Sequence, residues 1–159
     1  MRVRTHLADC DIHQAGVVDV ADVVFLTQRA YAEPFRAGAP VAFIDEDEES
    51  LAREMDRGWK LLVARYGGLA VGAIRWRCER DEVRLSRLAV DPRHRRRGIG
   101  TALLHAVEKE ACDRGAAGLC VEMLAESGVP PMFQRRGYAV RAERLAGPVR
   151  FLELAKRPA

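Results

Sequence analysis

The 159 residues fit one domain, taken as 1–159, and a chain of that size buries about two-thirds of its unfolded surface. With 48% apolar and 31% charged residues, wholesale disorder is excluded. The 26 basic residues, only 3 of them Lys, leave a net charge of +3 over 23 acids, too small an excess for a bulk nucleic-acid binder.

In chain order, residues 3–7 are expected to start with a short strand. Val20, Val23, Val24, Leu26 and Tyr31 predict a helix over 20–32, closed by Pro34. Residues 36–44 read as an irregular loop. The acids at 45–49 mark a helix start favoured by the dipole, with Gly58 just past its end. Two strands, 59–66 and 69–78, flank the Gly67-Gly68 turn, and a third covers 82–90. Asp91-Pro92 stops that strand. Ile99, Leu103, Leu104, Val107 and Ala111 share one face of a helix over 99–114, capped by Gly115. A buried strand at 117–124, a short helix at 130–136 and strands at 138–143 and 149–155 complete the chain. The order predicts a mixed α/β domain with one dominant sheet of about seven strands and about four helices.

No run approaches the roughly 18 apolar residues of a membrane helix. The N-terminal MRVRTHLADCD has no apolar signal core. Cys10, Cys78, Cys112 and Cys120 show no CxxC spacing and no neighbouring His pair, so neither a zinc site nor a disulfide framework is expected. These features point to a soluble cytoplasmic protein with reduced thiols and with no metal, membrane or nucleic-acid partner.

The informative stretch is LAVDPRHRRRGIGTALL, residues 88–104. A strand gives way to a basic, glycine-containing turn, and a helix begins. Gly98 and Gly100 let the backbone approach a ligand closely. The unpaired N–H groups at the helix start and its dipole favour an anion, and Arg95, Arg96 and Arg97 add charge. A P-loop is excluded because no Lys follows Gly100, and a dinucleotide fingerprint because Leu103 stands where Gly or Ala is required.

Arg95-x-x-Gly98-x-Gly100 resembles the acyl-CoA-binding signature of the Gcn5-related N-acetyltransferases (GNAT), and FQRRGY at 133–138 resembles a later segment of that family. The resemblance is specific over residues 82–138. It implies an α/β fold whose mostly antiparallel sheet has two splayed parallel strands in the middle. It implies acetyl-CoA as cosubstrate, with no metal. Backbone groups of Leu88, Ala89 and Val90 would meet pantetheine and the acetyl group. The N–H groups of Arg96, Arg97, Gly98, Ile99, Gly100 and Thr101 would hold the pyrophosphate, with Arg95 and Arg136 nearby. Ser127 stands where an Asn often orients pantetheine, and Phe133 would line the groove.

The implied reaction is direct attack of a primary amine on the thioester, which needs a base. Glu122, twelve residues before Gln134, matches the first member of the Glu-to-Tyr pair used by bacterial ribosomal-protein N-terminal acetyltransferases. Gln134 replaces the acid Tyr and can hydrogen-bond but not give up a proton. Arg84 occupies the position of the carboxylate used by histone-type members, which argues against that base. The acceptor is expected to be an amine on a small molecule or peptide, and homodimers are common in the resembling family. The competing readings are a non-catalytic acyl-CoA sensor on the same fold and a nucleic-acid-binding domain using the Arg cluster. Tyr31 and Phe35 are candidates for an acceptor pocket, with core packing the plainer reading of Tyr31.

Overall fold

The computed structural model describes residues 10–35 and 46–158, without the side chains of 33–35. The expected strand at 3–7 and loop at 36–44 lie outside the described residues. The first described strand is β1 (Cys10–Gln14), in which buried Cys10 and Ile12 alternate with polar neighbours. Then come α1 (Val20–Phe35), α2 (Glu48–Asp56), β2 (Lys60–Tyr66), β3 (Leu69–Glu79) and β4 (Glu82–Val90). They are followed by α3 (Ile99–Asp113), β5 (Gly118–Leu124), α4 (Pro131–Arg135), β6 (Ala139–Ala146) and β7 (Val149–Lys156).

The seven strands form one sheet in the order β1-β2-β3-β4-β5-β7-β6, and β4–β5 is its parallel pair. Gly67 and Gly68 join β2 to β3 with φ of 55° and 83°, a two-residue turn that needs left-handed backbone at both positions. Alternation along β2 divides the core. Leu62 and Ala64 face α3 and α4 together with Val83, Leu85, Leu119, Val121 and Leu154. Leu61 and Val63 face α1 and α2 together with Val23, Leu26, Leu51, Ala73 and Ala89. Gly72 lets α3 settle onto β3: a Cβ there would lie 2.7 Å from Ile99 Cγ2 and 3.0 Å from Leu103 Cδ1. The beginning of α3 is thereby fixed over the middle of the sheet.

Two features of β4 shape the site. Its ladder with β5 runs only from Glu82–Gly118 to Leu85–Val121. Beyond that point β4 stays with β3 as far as Val90, and β5 stays with β7 as far as Leu124, so the two strands part. On its other edge, Ala89 faces Ala73 and Ser86 faces Arg75, which leaves Arg87 and Leu88 opposite the single residue Ile74. This is a β-bulge, and Arg87 carries it at φ 49°.

The predicted helix over 20–32 extends through Pro34 to Phe35. A proline in the last turn removes the N–H that would bond the carbonyl four residues back, Ala30. The Arg95 guanidinium takes that acceptor, with Nη2 2.9 Å from Ala30 O. The second helix begins within the acidic run, at Glu48, as expected. Asp47 is its N-cap and accepts the Ser50 N–H at 2.7 Å.

Candidate functional site

The turn after β4 is folded by one buried carboxylate. Asp91 N–H bonds Val71 O at 2.8 Å, while its side chain accepts Arg93 N–H and Arg29 Nη2, each at 2.8 Å. Burial raises the Asp91 carboxyl, but the Arg93 N–H and Arg29 outweigh it and hold the group below the usual carboxylate range. His94 N–H closes the turn on Asp91 O at 2.8 Å. The chain then passes through Arg96 at φ 62° and Gly98 at φ 80° before entering α3. Left-handed residues in such a turn aim successive N–H groups the same way, which suits an anion. Ala102 N–H takes Gly98 O at 2.9 Å, so the earlier N–H groups of Ile99, Gly100 and Thr101 are the orphan donors of the helix start.

These groups open onto a cleft of about 440 Å³. It is lined by Ala30 and Tyr31 from α1, by Leu88, Ala89 and Val90, by the turn from His94 to Thr101 without Arg97, and by Pro130, Met132 and Arg135. Because Asp91 N–H bonds β3, antiparallel alternation makes Ala89 the next residue paired there and turns the backbone of Val90 to the opened side. The Tyr31 hydroxyl donates to Leu88 O at 2.7 Å. Burial pushes the Tyr31 phenol up to about 12, with Arg87 and Arg75 pulling the other way. Behind it, Arg75 is 1% exposed and pairs with Glu46 and Glu54, while Arg87 Nη1 lies 2.9 Å from the same Glu46 carboxylate. This group, with Arg75 and Glu46 buried and Arg87 and Glu54 half-buried, ties α2 to β3 and to the bulge.

The cleft therefore gathers Leu88, Ala89, Val90, Arg95, Arg96, Gly98, Ile99, Gly100 and Thr101. It does not gather the remainder of the predicted set. Arg97 and Ser127 are exposed. Phe133 is 4% exposed because its ring packs edge-on against Tyr138 in the α3-side core, not along the groove. Arg136 is held by Glu108, with Nη2 also 3.1 Å from His105 Nδ1, so Arg135 faces the cleft in its place. Gln134 is exposed on α4. Glu122 is exposed on β5 and meets Arg144 in a two-pronged pair at 2.6 and 3.1 Å. Sequence reasoning missed His94, Met132 and Arg135, and it offered Tyr31 as a pocket candidate while preferring core packing for it. The phase of a five-residue helix is too short a signal to separate Arg135 from Arg136.

A sheet opened between its parallel strands, leading into a glycine turn at a helix start, defines a mixed α/β domain with a cleft suited to an anionic ligand. Residues 26–155 match the family described as Acetyltransferase (GNAT) domain. The chain is 32% identical over 100 residues to the uncharacterized N-acetyltransferase YjcF of Bacillus subtilis (strain 168), a match covering 63% of this chain and 67% of that one. Its fold is similar to the ribosomal-protein-S18-alanine N-acetyltransferase of Escherichia coli, at TM-score 0.79 and 21% identity over 94% of both chains. It is also similar to the PaiA N-acetyltransferase of Thermoplasma acidophilum in complex with coenzyme A, at TM-score 0.77 and 17% identity over 91% of this chain and 97% of that one. The chain belongs to the GNAT acetyltransferase family.

Proposed function

We propose that the protein moves an acetyl group from acetyl-CoA to a primary amine of a small molecule or peptide, by direct attack within a ternary complex. The observation that carries this reading is the parting of β4 and β5 beyond Leu85–Val121, directly upstream of the Gly98 turn. The residues present suit the cosubstrate. Val90 offers backbone groups to the pantetheine amides, and Ile99, Gly100 and Thr101 offer N–H groups to the pyrophosphate. Arg95, Arg96 and Arg135 add positive charge at that end. Four free cysteines and an acetyl-CoA requirement fit a reducing compartment, the cytoplasm.

Glu122 is the base in this reading. It follows Val121, where the β4–β5 ladder ends, and it alternates with Leu119 and Val121, so it lies on the sheet face that carries α1 and α2. Arg144 pairs with it, and an exposed pair of that kind is weak enough to open for an amine. The test is calorimetric titration with acetyl-CoA, followed by thiol release across polyamines, amino acids, aminoglycosides and N-terminal peptides, with Glu122→Gln in parallel. Saturable binding and amine-dependent release are expected, with release by the variant slower by about 100-fold. Absence of binding would sink the proposal. Binding without release on any amine would select the sensor reading.

A further inference from the structure

Neither residue expected to move protons lines the cleft, and Gln134 has no proton to give at neutral pH. Among the described residues that do line it, arginines apart, only Tyr31, His94 and Thr101 carry a side-chain proton donor. His94 and Thr101 flank the Arg95–Gly100 turn, the phosphate end. Tyr31 instead sits against β4 itself, with its hydroxyl 2.7 Å from the carbonyl of Leu88, where β4 has already left β5. It is carried on α1, so it shares a sheet face with Glu122. We propose that Tyr31 hands a proton to the departing thiolate of coenzyme A.

This role rests on the acetyl transfer proposed above. As the amine nitrogen bonds the thioester carbon, the carbon–sulfur bond breaks and its electron pair goes to sulfur. The Tyr31 hydroxyl turns from Leu88 O and gives its proton to that sulfur, forming the free thiol. The proton that Glu122 takes from the amine returns through solvent to the phenolate, so the cycle closes without any other reactant. A phenol raised to about 12 stays protonated through the neutral range, as a donor must. The buried Arg75 and the half-buried Arg87 steady the phenolate while it lasts.

The experiment uses Tyr31→Phe, hydroxylamine as a generic nucleophile, and two donors: acetyl-CoA and its selenoester analogue, whose less basic selenolate leaves without a proton. Expected are unchanged acetyl-CoA affinity by calorimetry, thiol release slower by about 100-fold, and recovery of most of that deficit with the selenoester. An equal deficit with both donors, or none with either, would overturn the role. Should Tyr31→Phe fail to fold, 3-fluorotyrosine placed at position 31 replaces it. Its fluorine resonance should move when acetyl-CoA is added without acceptor, and an unmoved resonance would overturn the role equally. The two proposals separate cleanly. A parent protein that neither binds acetyl-CoA nor releases thiol removes the acetyl transfer and Tyr31's role with it. An active parent with an undiminished Tyr31→Phe removes Tyr31 alone.

Discussion

A side chain at position 100 would enter the cleft between its own walls: the first added carbon lies 3.4 Å from Met132 Sδ and 3.5 Å from Val90 Cγ2. Those are ordinary contacts, so Gly100→Ala should fold and bind. Gly100→Leu should fold and yet lose at least about tenfold in acetyl-CoA affinity, or about 1.4 kcal/mol, checked by calorimetry beside a thermal melt. Gly98 is sensitive for another reason. Its φ of 80° is left-handed, and a β-branched residue there costs about 1–3 kcal/mol of strain, so Gly98→Val should weaken both the turn and binding. The glycines were legible because turn chemistry is local. The Arg135 and Arg136 roles were not, because they depend on Glu108, which reaches Arg136 from α3.

At the scale of elements, the site depends on how the 91–98 turn is fastened to α1. Arg29 reaches Asp91, and Arg95 reaches the carbonyl that Pro34 leaves unbonded. Asp91→Asn keeps the shape but removes the charge that Arg29 and the Arg93 N–H favour. It should lower the melting temperature and weaken acetyl-CoA binding, while Arg29→Ala should reproduce part of both effects. The strand–turn–helix could be read from sequence because β4 and α3 each carry their own periodicity. The continuation of α1 past Pro34 could not, because its compensating partner lies 65 residues away along the chain. Nor was β1 read from the sequence: CDIHQ is short and polar, and it becomes a strand by pairing with β2.

For the whole molecule, the order β5-β7-β6 places the last strand inside the sheet, a long-range pairing that no local pattern encodes. Six of the seven described strands and the four helices were countable from the sequence, while the opening between β4 and β5 rested on the resemblance. Paired carboxylates spread across the fold set its acid limit. Asp19, Glu79, Glu82, Asp91 and Glu108 are all held below their ordinary values; burial opposes this in each, and charge-assisted hydrogen bonds win. Groups depressed in the folded state stabilise it above their unfolded values and lose that effect as pH falls through their folded values. Urea midpoints should therefore stay level above about pH 5 and decline below about pH 4. A decline beginning near neutrality would show that other groups govern stability.

The most direct test is acetyl-CoA titrated into the parent protein and into Gly100→Leu under one buffer. The cleft between the opened strands and the Gly98 turn predicts saturable one-site binding by the parent and a loss of at least about tenfold in the folded variant. A parent that does not bind, or a variant that binds as tightly as the parent, would contradict it.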